Sequence, residues 1–428
     1  MLRPLHLLVL ACPLILTSFA AIADERRSDA RPIVFAPTDW PWWRGPQRDG
    51  IADPKQTPPL KWSATENVLW KTPIPGRGHG SPTVVGEQVF LATAEYDPQV
   101  QSVLCFERKS GKLLWQTPVH RGNFETKGNA KASLASSTVA CDGERLFINF
   151  LNNGAVYTSA LDRSGKLLWQ TKISDYVIHQ GYGSSPAVYE SVVIASADNK
   201  GGGAVAALDR ASGKIIWKRE RPKTPNYASP IILRAAGRTQ LFMTGCDLVT
   251  GLDPLTGKEL WEIKGATTEC VTSTVSDGNV IITSGGYPKN HVSAVQTDGS
   301  GKVVWEKNTR VYVPSLVIRD GHLYGVQDAG LAFCWKLDTG KELWKGRLGG
   351  TFSASPVLVG EHFFATNEAG RTFIYKASPD SFTLVGENQL GDEVLPTPTY
   401  CGGRVFMRVA HMDKGKRQEV LYCLGKSD

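Results

Sequence analysis

Leu161–Trp169 reads "LDRSGKLLW", and the fold follows from how often this phrase returns. Copies stand at Phe106–Trp115 ("FERKSGKLLW"), Leu208–Trp217 ("LDRASGKIIW"), Leu252–Trp261 ("LDPLTGKELW"), Thr297–Trp305 ("TDGSGKVVW") and Leu337–Trp344 ("LDTGKELW"). Glu66–Trp70 ("ENVLW") supplies the second half alone. The seven tryptophans, Trp70, Trp115, Trp169, Trp217, Trp261, Trp305 and Trp344, are separated by 45, 54, 48, 44, 44 and 39 residues. A degenerate copy, "SPDSFTLVGENQL", places Asn388 at the next 44-residue interval.

A second phrase precedes each copy: a small or proline-containing strand start, alternating apolar residues, a polar turn and a further strand. "GSPTVVGEQVFLAT" from Gly80 is the first of eight and "PTPTYCGGRVFMRV" the last. Each unit thus holds four short strands. Gly-Glu, Asp-Gly and Gly-Gly pairs suit tight hairpins. In the Asp-x-x-Ser/Thr-Gly-Lys turn, Asp accepts from turn amides and Gly takes the left-handed conformation. Four-stranded units of this length predict an all-β, eight-bladed propeller, in which neighbouring blades cover each other's faces. The chain ends in "EVLYCLGKSD" without its Trp strand, and Val68–Thr72 is the spare. The N-terminal strand is therefore expected to complete the last blade and leave no open edge. The repeat indoles are expected to reach a neighbouring blade's backbone.

At these residues the chain resembles the pyrroloquinoline-quinone (PQQ) repeat family, over about residues 60–424. The family embraces quinoprotein alcohol and glucose dehydrogenases. It also holds non-catalytic members such as the propeller lipoprotein of the outer-membrane β-barrel assembly machinery, and exported bacterial propellers that share the lead-in "WPWWRGP". The resemblance implies the fold far more specifically than an activity.

The 428 residues carry a net charge of +7, with 41% hydrophobic and 21% charged residues. Basic residues are interspersed with acidic ones, which argues against a nucleic-acid surface. Arg3, the apolar run Leu5–Ile22 and Ala21-Ile22-Ala23 read as a secretory signal cleaved after Ala23. A lipid anchor at Cys12 is the rival reading. The domain plan is residues 1–23 signal, 24–59 an extended segment with a Trp-rich clasp, and 60–428 one propeller. The mature protein is expected to be a periplasmic or secreted monomer without a transmembrane span. Seven cysteines remain beyond Cys12, with no Cys-x-x-Cys. Cys246 with Cys270 is the candidate disulfide, and no metal site is expected.

Loops before the innermost strands ring one mouth of a propeller's channel. Here they bring His79, Lys131, His179, Tyr182, Asn226, Tyr227, Glu269 and Tyr312 to one opening. Loops on a rigid scaffold commonly carry function. The leading expectation is a non-catalytic envelope scaffold binding a protein or small-molecule ligand at this mouth, with no cofactor. The alternative implied by the family is a dehydrogenase using PQQ and Ca²⁺, with Glu269, Asn226 and Asp328 arguable as oxygen donors. The chain lacks the adjacent cysteines of the alcohol dehydrogenases, their long insertions and a Cys-x-x-Cys-His haem signature.

Trp40, Trp42, Trp43 and Arg44 lie in "DWPWWRGPQRDG" (39–50). Because the chain must reach Trp70 from the face opposite the mouth, this run is expected on that face or at the seam between last and first blades. It reads as a clasp, with Arg44 donating to blade carbonyls.

Overall fold

A computed structural model describes residues 33–125 and 128–426. The expected signal and Cys12 lie outside them. Eight four-stranded antiparallel sheets follow one another around a ring. The first comprises Thr83–Val85, Gln88–Glu95, Val100–Glu107 and Leu113–Arg121, from the channel outward. The eighth is built from Thr399–Cys401, Arg404–Asp413 and Lys416–Leu424, with Val68–Ile74 as its outermost strand. Trp70 pairs with Cys423 and Thr72 with Leu421. First and last strands thus share one sheet, as the chain ends required. Among the described residues no helix is long and apolar enough to cross a membrane.

The repeated phrase works as a dock between blades. The indole N–H of Trp70 donates to Arg108 O in the next blade's turn (3.0 Å), Trp115 to Arg163 O (3.1 Å) and Trp169 to Arg210 O (3.2 Å). Trp217 bonds Pro254 O, Trp305 bonds Leu337 O and Trp344 bonds Ser378 O. The turn glycine is fixed twice over. Gly111 has φ +72°, and a Cβ there would lie 2.3 Å from the Trp70 ring. Trp261 departs from the pattern: its N–H donates to Gln240 Oε1 of its own blade (2.8 Å), since Gly251 leaves room for the ring to swing over. Asn388 replaces the indole in the seventh blade. Its amide accepts from Trp62 N (2.9 Å) and donates to Leu60 O (3.1 Å), so it grips the incoming N-terminal segment.

That segment closes the ring from inside. Trp40 exchanges backbone hydrogen bonds with Val84 of the first innermost strand (2.7 and 2.9 Å), and Pro41 O accepts from Cys141 N of the second. Arg48 donates to Val188 O, Trp43 Nε1 to Ser273 Oγ (2.7 Å) and Arg44 to Leu316 O. Gly50 and Ala52 pair with Leu358. Hydrogen bonds from residues 40–52 therefore reach six of the eight blades. Asp39 accepts from the hairpin amide of Gly86, which puts the segment at the end opposite the mouth. The expected face is occupied, but the run crosses the channel rather than lying along an outer seam. An eight-bladed ring leaves an axial opening that short side chains do not fill, and the indoles span it. Trp40 joins Trp62, Trp70, Val84 and Phe406 in one core cluster, while Trp42 packs with Phe147 and Val193 in another.

Candidate functional site

The channel wall follows from the strand period of two. Each blade enters its innermost strand through a Ser or Thr, and these residues form a ring of hydroxyls. Ser81 N donates to Thr138 Oγ1 (3.0 Å), Thr138 N to Ser185 Oγ (3.0 Å) and Ser185 N to Ser229 Oγ (2.9 Å). Ser273 N donates to Ser315 Oγ, Ser315 N to Ser355 Oγ and Ser355 N to Thr397 Oγ1, each at 2.9 Å. At six of the eight positions the amide is thus satisfied by the next blade's hydroxyl. At Ser273 the hydroxyl takes the Trp43 indole N–H.

Two residues earlier in each blade stand His79, Ser136, Gly183, Tyr227, Val271, Val313, Ser353 and Leu395, a second ring nearer the mouth. With Lys131 they enclose a funnel of about 220 Å³ whose floor is Trp43. It is a blind pocket, open toward the mouth.

His79 N donates to Ala135 O (3.0 Å). Burial, then the nearby Arg77, Arg408 and Arg417, hold its imidazole well below the usual histidine range. Lys131 crosses the mouth to Glu368 Oε2 of the seventh blade (2.7 Å), whose other oxygen accepts from Ser353 (2.7 Å). His179, Tyr227, Glu269 and Tyr312 come together from four consecutive blades. His179 Nε2 lies 3.2 Å from Glu269 Oε1, and the Tyr312 hydroxyl donates to Oε2 (2.9 Å). Burial, then the Glu269 charge, raises the Tyr227 phenol above its ordinary range; for Tyr312 burial and the bond to Glu269 do the same.

Two expected mouth residues sit elsewhere. Asn226 is buried: its amide donates to Asp198 Oδ2 and Thr244 O and accepts from Cys270 N, all at 2.9 Å. With every polar atom satisfied, it braces the loop and does not face a ligand. Tyr182 donates to Ser196 O (2.8 Å) and lines a separate cavity of about 170 Å³ with Arg77, Asn149 and Ile178. The expected Cys246–Cys270 disulfide is not formed. Cys246 Sγ faces Asp198 and Thr224 O, Cys270 Sγ faces Thr267 O, and both are buried free thiols.

The donors proposed for Ca²⁺ do not converge. Glu269 is engaged by His179 and Tyr312, Asn226 is enclosed, and Asp328 accepts from Tyr312 N (2.8 Å). A Ca²⁺ ion needs six to eight oxygens in one shell. Among the described residues no cluster of three or more His, Cys, Asp or Glu has metal-binding geometry. The residues present do not fit that ion.

Three features escaped the residue-level reading: the hydroxyl ring, the Trp43 floor and the Lys131–Glu368 strap. The first was signalled by the Ser or Thr that opens every strand-start phrase. The last joins residues 237 apart in sequence, which no local pattern announces.

Burial also makes the fold acid-sensitive. His79 is held well below 6.5, His291 is lowered and His120 falls to about 4, each mainly by desolvation. Unfolded histidines protonate near 6.5. Below that pH the unfolded chain binds more protons than the native one, so stability declines as pH falls. For His120 the decline continues to about pH 4. Unfolding midpoints measured from pH 7.5 to 4 should drop, and His120→Gln should flatten the curve; an unchanged slope in that variant would contradict the assignment.

Comparison with known proteins accords with this architecture. A family model described as outer membrane protein assembly factor BamB matches residues 60–116, 99–345 and 288–378. Tetrathionate hydrolase of Acidithiobacillus ferrooxidans is 24% identical over 71% of this chain, and a polyvinylalcohol dehydrogenase of Pseudomonas sp is 22% identical over 80%. The chain spans 65% and 58% of the length of these two relatives. BamB of Moranella endobia is 22% identical over 77% of this chain and 82% of its own. The solved BamB of Moraxella catarrhalis superposes with a TM-score of 0.58 at 13% identity, over 83% of this chain and 96% of its own. Repeats, ring closure and family match agree: the chain belongs to the family of PQQ-repeat propellers described as outer membrane protein assembly factor BamB.

Proposed function

We propose that the protein is a non-catalytic binding scaffold of the bacterial cell envelope, exported through its N-terminal signal, with its partner site at the funnel mouth. The observation that carries this reading is the blind funnel, walled by residues from every blade and floored by Trp43. A rigid pocket with a single entrance suits reception of one protruding group. The assembly-factor family supports an envelope protein as the source of that group. The strap and the His179–Glu269–Tyr312 cluster hold the surrounding loops in fixed positions, so little ordering is required on binding.

The test is capture of partners from envelope extracts by the processed protein. His79→Ala, His179→Ala and Tyr227→Ala combined should reduce partner retention at least tenfold, with the melting temperature as a control on folding. Undiminished retention would remove the mouth from consideration. The dehydrogenase reading draws on the polyvinylalcohol dehydrogenase relative. Titration with PQQ and Ca²⁺, followed by dye reduction with alcohols, decides it: quinone binding with turnover would replace the scaffold reading.

A further inference from the structure

The wall of the funnel is unbalanced in its hydrogen bonding. Thr138, Ser185, Ser229, Ser355 and Thr397 all line it, and each oxygen already accepts a backbone N–H from the preceding blade. Each hydroxyl keeps its own proton, with no acceptor among the described residues. Thr138, Ser185 and Ser355 are nevertheless almost wholly buried, at 3%, 4% and 2% exposure. Ser81 in the same ring is buried at 3% with a hydroxyl that has no partner at all. A buried donor without an acceptor is costly, so the wall calls for a guest that brings oxygen acceptors.

Charge points the same way. Arg77 stands beside His79 and Lys131 overhangs the entrance, while Arg408 and Arg417 on that side are paired with Glu419 and Glu393. The nearby carboxylates are occupied: Glu368 by Lys131 and Ser353, Glu269 by His179 and Tyr312. Charge-assisted bonds from hydroxyl donors to an anionic oxygen are among the stronger ones available. Val271 and Val313 of the fifth and sixth blades and Leu395 of the eighth are aliphatic and suit a short hydrocarbon stem.

We propose that the funnel binds a carboxylate-terminated ligand, with the carboxylate among the wall hydroxyls above Trp43 and its stem against Val271, Val313 and Leu395. This rests on the funnel being the binding site. The carboxylate belongs either to the C-terminus of a partner protein or to a free small acid.

Calorimetric titration of the processed protein distinguishes these. The probes are N-acetyl-tetra-alanine with a free C-terminus, the same peptide amidated, and succinate. The free-acid peptide should bind at least tenfold more tightly than the amide. Succinate binding as tightly as the peptide identifies a small acid, and peptide-selective binding identifies a protein terminus. Thr138→Val should abolish the preference for the free acid, whereas Thr138→Ser, which keeps the hydroxyl, should retain it. Because Thr138→Val also removes the acceptor of the Ser81 N–H, the melting temperature and the affinity for the amidated peptide are read beside it: loss of the acid preference with both of these unchanged marks a contact with the ligand, and retention of the preference overturns it. Equal binding of acid and amide, or no binding by acid and succinate alike, overturns the proposal. If envelope partners are still captured in a mouth-dependent way, that result leaves the scaffold reading standing.

Discussion

Trp40→Ala should destabilise the protein by about 3–5 kcal/mol, the range for removing a large aromatic from a packed core. Trp40 is 4% exposed and packs in the cluster that joins the last blades to the first. Its backbone pairs with Val84, and its ring fills the space against Gly45, where a Cβ would lie 2.9 Å from the indole. Deleting residues 40–50 should cost more, because it also removes Trp42, the Arg44 and Arg48 bonds to Leu316 O and Val188 O, and the pairing to Leu358. Burial brings both guanidiniums down to about 10, still protonated at neutral pH. The readout is the denaturant midpoint of the two variants against the parent. A midpoint unmoved by the deletion would mean that the segment merely occupies the channel end without holding the ring.

The second large effect belongs to Arg408. Its guanidinium and the Glu419 carboxylate are each 1% exposed and paired within the eighth blade. The same guanidinium donates to Ala92 O (2.5 Å) and Thr93 Oγ1 (3.2 Å) of the first blade. One side chain thus satisfies a buried charge and stitches the closing seam. Arg408→Ala leaves the buried Glu419 with Arg417 as its remaining cationic partner (3.0 Å), removes both bonds to the first blade, and should cost about 3–5 kcal/mol. Replacing both partners, Arg408→Met with Glu419→Leu, should cost clearly less than the two single losses added together. Additive losses in that cycle would show that the pair is not coupled.

The fold was readable because its determinants are local and repeated. Spacing of Gly-Lys-x-x-Trp, tight-turn dipeptides and the spare strand at Trp70 suffice to count blades and to close them. What the seven indoles touch was also foreseeable, apart from Trp261, where Gly251 redirects the ring by a clearance that no periodicity encodes. The site was less legible. His179, Glu269 and Tyr312 lie in the loops before the innermost strands of the third, fifth and sixth blades, so their convergence could be anticipated. Asn226 occupies an equivalent position yet turns inward, because Asp198 and Thr244 offer it partners across the blade. Side-chain direction in a loop is decided by such neighbours, which lie tens of residues away. Trp43 and Lys131 were picked out as residues, but their reach to Ser273 and Glu368 belongs to the closed ring.

The pairing of Val68–Ile74 with Lys416–Leu424 has a consequence for biosynthesis. The first strand of the propeller waits for a partner made more than 340 residues later. At translation rates of about 5–20 residues per second, its backbone stays without that ladder for roughly 17–70 seconds. Seven blades consist of contiguous chain and can form in order, while the eighth forms last, once Lys416–Leu424 has been made. A stop before Lys416 would therefore remove the ladder that holds Val68–Ile74, and the damage would appear in the first strand and the last blade together.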